Sequence, residues 1–418
     1  MQTDIDVESL QSALVDRMRT NGVLRTPAVE AAFRAVPRHL FLPGVPLDVV
    51  YRDEFIPIKS ENARLLSSSS QPSMMAVMLE QLELGPGHRV LEIGTGSGYN
   101  AALMSHIVGE RGLVVTVDIE EDLIVLARQR LSEAGYGRVE VICGDGGLGY
   151  ESGAPYDRII LTVGAWDIAP AWWDQLRPGG LLVMPLSLSG PQKCIAFRRE
   201  EGRLVSLSAR DCGFIGLRGA FAGPDTVIEL GEVPGLRMAS EQVEQVDPTL
   251  AYRLLTGPHR DLPVGVSVTL GDFFGSLSLW LALREEGACS VFAEGEWLAS
   301  GLVPSLLSSP GSKSVYLATL GLYEDGSLCL LARAPEASPS THEPDDTLPF
   351  ELIVQSHAPD DTLAMRLIEQ IRSWDKQGRP PTERLQVVAY PADAAIPPGE
   401  GVVLQKYWTQ LALSHPQL

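Results

Sequence analysis

Residues 90–99 read Val90-Leu91-Glu92-Ile93-Gly94-Thr95-Gly96-Ser97-Gly98-Tyr99. An apolar run carrying one acid passes into alternate glycines and then into a helical pattern, the signature of a buried strand that turns directly into a helix. Glycines in such a turn allow positive φ and let backbone approach a ligand where a Cβ would collide. Dinucleotide-binding loops use a related pattern, G-x-G-x-x-G. Here Gly94 and Gly96 would need a glycine at 99, and Tyr99 stands there instead. That substitution disfavours a nicotinamide dinucleotide.

Working outward, strand and helix signals alternate. Strands are expected at 89–93, 113–118, 139–143, 158–162 and 181–185, with helices at 100–108, 121–134 and 170–176. Such alternation means a parallel sheet covered by helices. Turns at 178–180 and 189–191 bracket the last strand, and 193–198 is expected to return antiparallel to it. Asp118 ends the second strand, where its carboxylate could accept both hydroxyls of a ribose. Asp145, in Cys143-Gly144-Asp145-Gly146, follows the third, where it could accept from an adenine amino group. All these positions fall at the carboxyl ends of strands, the ligand edge of an open α/β sheet.

The E-x-G-x-G-x-G form resembles that of methyltransferases, whose ligand is an amino acid joined to adenosine. Several further motifs stand in the order seen in protein-L-isoaspartate O-methyltransferases. They are Val36-Pro37-Arg38-His39-Leu40-Phe41-Leu42-Pro43, Ser70-Gln71-Pro72, Val90 through Tyr99, Gly144-Asp145-Gly146, Pro155-Tyr156-Asp157 and Pro178-Gly179-Gly180. The resemblance covers roughly residues 10–220. It implies a Rossmann-like class I S-adenosylmethionine methyltransferase sheet of α/β class, with S-adenosylhomocysteine as product. It also implies that Ser70 is the active-site serine beside the acceptor carboxylate, with Ser68, Ser69 and Gln71 as substrate contacts. The cofactor set it implies is Glu92, Gly94, Thr95, Gly96, Ser97, Gly98, Asp118, Ile119, Asp145, Gly146 and Thr162. The free N–H groups of the helix after Pro72 are a further carboxylate site.

The chain also departs from that family. Leu66-Ser67-Ser68-Ser69 replaces the usual glycine-glutamine-threonine before the serine, and about 190 residues follow the resembling part. The serine run, Cys212-Gly213-Phe214, Arg218-Gly219-Ala220 and residues 277–283 look like the longer FxLD-system methyltransferases associated with lanthipeptide and other ribosomal peptide modification. That likeness implies an aspartate of a precursor peptide as acceptor, giving an aspartimide or isoaspartate. General repair of isoaspartyl proteins is the alternative. A small-molecule methyltransferase with a non-catalytic C-terminal interaction module is another.

Around the central region, helices are expected at 6–19, behind an Asp6 cap, and at 26–36, behind Thr26-Pro27. Residues 36–43 read as extended because proline disfavours helix before it. Residues 61–70, polar and serine-rich, read as a loop, and a helix is expected at 73–82. Beyond 223 the signals are weaker. Residues 264–270 and 277–283 are apolar strand or helix candidates, and a hairpin is expected around Glu324-Asp325-Gly326. Residues 334–348 are loop-like, followed by a helix at 364–375, a strand at 385–390 and a closing amphipathic helix. The expected division is an N-terminal helical cap with the active-site loop (1–78), the cofactor domain (79–225) and a C-terminal α+β accessory domain (226–418) that recognises peptide.

Composition narrows the partners. The formal net charge of −20 repels phosphate backbones and anionic lipid, so nucleic acid and membrane are not expected partners. No apolar run is long enough for a membrane span. The N-terminus is acidic and polar, unlike a signal peptide. Five cysteines without paired spacing suit a reducing cytoplasm, and no metal is expected. Oligomeric state is left open. Chemically, a carboxylate is already ionised at neutral pH, so methylation needs positioning and water exclusion more than a catalytic base.

Overall fold

The computed structural model describes residues 6–61, 64–304, 306, 316–335, 348–399 and 401–415. The chain divides into two compact units. The first comprises Met1–Ser187, Gln192–Gly223 and Leu385–Ser414, and the second is mainly Pro224–Arg384.

In the first unit, α1 (Val7–Thr20) starts where the Asp6 side chain accepts the Glu8 N–H, and α2 (Pro27–Ala35) starts at a proline. Residues 36–43 are not wholly extended as expected. Proline constrains only the residue before it, so Arg38–Phe41 makes one 3-10 turn. After α3 (Leu47–Val50), strands β1 (Ile56–Glu61) and β2 (Arg64–Ser69) form an antiparallel hairpin where a loop was expected. Serine composition hid it, because the strand's serines line a cavity rather than a hydrophobic core. Helix α4 (Pro72–Leu82) follows.

The central elements match the alternating pattern. They are β3 (Arg89–Ile93), α5 (Tyr99–Val108), β4 (Leu113–Asp118), α6 (Glu121–Glu133), β5 (Glu140–Cys143), β6 (Tyr156–Leu161), α7 (Pro170–Gln175) and β7 (Leu176–Ser187). Then β8 (Gln192–Glu200) and β9 (Arg203–Asp211) run antiparallel. Tyr99, buried at the start of α5, packs on Phe33 and Phe41 with ring centroids 6.3 and 5.6 Å away. The residue that breaks the dinucleotide pattern thus joins the glycine loop to the N-terminal helices.

The second unit is an antiparallel sheet. Its strands are β10 (Val227–Glu229), β11 (Leu236–Ala239), β12 (Arg260–Val268), β13 (Ala288–Glu294), β14 (Tyr316–Glu324), β15 (Ser327–Arg333) and β16 (Phe350–Ser356), in spatial order β10-β11-β13-β14-β15-β16-β12. Strand alternation sends Leu330 to one buried cluster and Leu331 to the other. Helix α8 (Pro248–Thr256) contributes Ala251 and Leu255 to the first cluster. A short α9 (Leu270–Asp272), a π-helical turn, α10 (Ser278–Arg284) and α11 (Thr362–Lys376) serve the second, through Phe273, Trp280 and Trp374. The 277–283 segment is therefore helical, and 264–270 is mostly strand. The expected hairpin forms at β14–β15. Of the loop expected over 334–348, residues 336–347 lie outside the described residues.

The chain then returns to the first unit with β17 (Gln386–Pro391), β18 (Val402–Gln405) and β19 (Thr409–Ser414). Two expectations change here. The closing segment is a pair of strands, not an amphipathic helix; short apolar runs do not separate the two by periodicity. And 226–418 is not one body, because 385–414 extends the cofactor-domain sheet. That sheet has the order β18-β19-β17-β9-β8-β7-β6-β3-β4-β5. Strand β3 is parallel to both β4 and β6, so chain order reverses beside it and opens a crevice at the carboxyl ends.

Candidate active site

A cavity of about 360 Å³ sits in that crevice, within the range of small-molecule pockets. Residues of β2 and the start of α4, the glycine loop, the end of β4 and the strap after β9 line it. Gly94, Gly96 and Gly98 take φ of +104°, +51° and +87°. At Gly94 a Cβ would stand 2.7 Å from the Thr162 Oγ1. Thr162 itself donates to the Gly94 carbonyl at 2.7 Å. Gly96 faces the serine hairpin, where an ideal Cβ would touch the Ser68 carbonyl at 3.6 Å. Asp118 accepts the Gly96 N–H at 3.0 Å and that of Glu120 at 3.2 Å, and lies in the cavity wall with Ile119.

Of the expected cofactor residues, Gly94, Thr95, Gly96, Ser97, Asp118, Ile119, Gly146 and Thr162 line this space, whereas Glu92, Gly98 and Asp145 do not. Each exception has a visible cause. Glu92 is fully buried and accepts from Asn100 Nδ2 at 2.8 Å and Thr116 Oγ1 at 2.7 Å. Burial pushes its carboxyl up to about 7. It pins the loop to α5 and β4 from behind. Gly98 packs against Leu131 instead. Asp145 accepts the Gly147 N–H at 2.9 Å and the Ala220 N–H at 2.7 Å, and its neighbour Gly146 takes its place in the cavity wall.

Ser67, Ser68, Ser69, Ser70 and Gln71 all reach the cavity. What orders them was not legible as a role in sequence. Arg38, wholly buried on its 3-10 turn, donates to the carbonyls of Val50 (2.8 Å), Glu54 (3.1 Å) and Ser70 (3.1 Å). Burial depresses its pKa, against the opposing pull of Tyr99, Asp53 and Tyr51. The helix N-terminus after Pro72 is not free as expected. Asp53 accepts the Ser73 N–H at 2.8 Å and its Oγ–H at 2.5 Å. Ser70 and Gln71, which follow β2, line the cavity just ahead of that turn. Across the opening, Glu120 takes hydrogen bonds from Lys59 of β1 and from Arg218, and these hold its carboxyl below the usual range.

The chemistry of this wall fits a sulfonium nucleoside. Acidic Asp118 ends the strand beside the glycine loop, whose Gly94-x-Gly96-x-Gly98 spacing is not that of a dinucleotide loop. Residues 8–221 match the family profile of protein-L-isoaspartate(D-aspartate) O-methyltransferase. The chain belongs to that family. Two relatives illustrate the match. The protein-L-isoaspartate O-methyltransferase of Methanopyrus kandleri is 39% identical over 208 residues, which are 49% of this chain and 90% of that protein. Protein-L-isoaspartate O-methyltransferase 1 of Archaeoglobus fulgidus is 43% identical over 182 residues, 44% of this chain and 82% of that protein. A solved structure titled protein-L-isoaspartate O-methyltransferase aligns over 90% of this chain and 96% of its own, with 24% identity and a TM-score of 0.49.

This methyltransferase uses S-adenosylmethionine. Further chain beyond the matched part is not special to it. The Thermotoga maritima relative, 39% identical, is covered over 60% of its length, so a large remainder of that protein also lies outside the match. Among the described residues no cluster of three metal-ligating side chains occurs, and no helix is long and apolar enough to cross a membrane.

Proposed function

We propose that this methyltransferase esterifies the free α-carboxylate of an isoaspartyl residue in a polypeptide. The observation that carries the reading is the wall from Ser67 to Gln71, which faces the glycine loop across one cavity. S-adenosylmethionine supplies an electrophilic methyl group on a sulfonium centre. The protein's own residues do the remaining work. Asp118 and the Gly96 backbone hold the nucleoside. Ser70, fixed through its carbonyl by Arg38, orients the acceptor carboxylate. The apolar side chains of Phe55, Met74 and Met75 in the same wall exclude water. A carboxylate with a pKa near 4 needs no base, so alignment and desolvation supply the rate. The carboxylate oxygen would take the methyl group as the methyl–sulfur bond breaks, leaving S-adenosylhomocysteine, and the next peptide nitrogen could then displace methanol from the neutral ester to close a succinimide outside this site.

A narrower acceptor, an aspartate of a ribosomal precursor peptide, is the second reading. Its support is the serine run in the cavity wall and the strap from Cys212 to Arg218. The test uses two peptides of one sequence, carrying either isoaspartate or aspartate, with labelled methyl donor. Methyl ester on the isoaspartyl peptide alone supports the main reading. Modification of the aspartyl form, with loss of water, supports the second. Labelling of neither overturns both.

A further inference from the structure

The strap after β9 has two anchors, and the second is backed by chain far outside the residues matched to the family. At one end Arg218 holds Glu120. At the other, Ala220 donates to Asp145, and the Phe221 ring fills the space where a Cβ on Gly147 would sit, 2.1 Å from the ideal position. Gly219 takes φ of +96°, and a Cβ there would stand 2.5 Å from the Asp145 carboxylate, so the strap seats directly on the wall that carries Gly146 into the cavity. Phe221 stacks on Trp408, with ring centroids 4.9 Å apart and planes at 38°. Trp408 belongs to the tip between β18 and β19. That tip is tied down by the buried Asp167, which accepts the Trp408 N–H at 2.6 Å and the Thr409 hydroxyl. Lys406 completes it, its ammonium 4.4 Å from the Trp166 ring centroid.

We infer that Trp408 is a positioning residue for the methyl donor: the C-terminal hairpin, through Phe221, holds the strap against the Asp145–Gly147 wall and so closes the adenosine end of the cavity. The inference rests on the cavity being the donor site. Aromatic pairs of this kind contribute modestly, so losing one should weaken donor binding about five- to tenfold.

Calorimetric titration of the full-length protein with S-adenosylhomocysteine tests this. Trp408→Ala should raise the dissociation constant by that factor, and Trp408→Phe should restore it. Phe221→Ala, on the strap itself, should match Trp408→Ala, and the double variant should be no worse than either, because both remove one contact. KM for the donor should rise while KM for the acceptor peptide stays. An unchanged constant in a folded Trp408→Ala or Phe221→Ala protein overturns the proposal. Additive losses in the double variant, or failure of Trp408→Phe to restore binding, also overturn it. Wild-type protein that takes up no S-adenosylhomocysteine removes the donor-site reading itself, and this proposal with it.

Discussion

The Asp53 carboxylate closes the first turn of α4, accepting both the N–H and the hydroxyl of Ser73 at 2.8 and 2.5 Å. A helix start is an anion site because its N–H groups are unpaired, and here an internal acid already fills it. Asp53→Ala strips that partner from a partly buried turn. Stability should fall by about 1–2 kcal/mol, as for lost helix caps. Methyl transfer should fall with it while S-adenosylhomocysteine affinity stays. Urea denaturation alongside initial rates checks both.

Arg38 holds four backbone carbonyls, those of Val50, Arg52, Glu54 and, in the serine segment, Ser70, from inside the protein. Arg38→Met leaves those carbonyls buried and unpaired, each costing about 1–3 kcal/mol. The variant should be strongly destabilised, and Arg38→Lys should rescue little, since one ammonium lacks the planar fork that reaches several acceptors. Thermal midpoints of both variants check this; full rescue by lysine would contradict it.

Glu92 carries a linkage prediction. Its folded pKa, about 7, lies above the ordinary 4.5. The folded state therefore binds the proton more tightly, so stability declines as pH rises from roughly 4.5 to 7 and is level above that. Glu92→Gln, which stays neutral and can keep the Asn100 and Thr116 bonds in altered polarity, should remove that decline. The two proteins should melt together near pH 5 and separate in favour of the variant above pH 7. Parallel curves across that window would contradict the buried-acid reading.

Ser70 is read as the acceptor contact and not as part of the donor site. Ser70→Ala should lower methyl transfer by roughly tenfold or more, the scale of one lost transition-state hydrogen bond, with little change in S-adenosylhomocysteine affinity. Equal losses in both would move Ser70 to the donor side.

The parallel sheet and its glycine loop were legible because the strands from β3 to β6 are short apolar runs between turn signals, and Gly94–Gly98 cannot serve an ordinary helix. The serine hairpin was not. Polar residues facing a cavity look like loop when no ligand is in view. Strands β18 and β19 were misread because a run such as Val402–Gln405 has no period long enough to exclude helix. Arg38 and Asp53 were visible as letters but not as partners, since Arg38 reaches Ser70 across 32 positions and Asp53 reaches Ser73 across 20. Asp145 stood at the expected strand end, and its carboxylate also holds the Ala220 N–H, a contact that only tertiary structure reveals.

The central claim is that the glycine-lined crevice binds S-adenosylmethionine, and direct titration tests it most simply. Wild-type protein titrated with S-adenosylhomocysteine in a calorimeter should show saturable one-to-one binding. Gly96→Val should abolish that binding, because a β-branched residue is strained at φ +51° and its side chain would intrude on the cavity. No heat of binding with the wild type, or undiminished binding by a folded Gly96→Val protein, would contradict the claim.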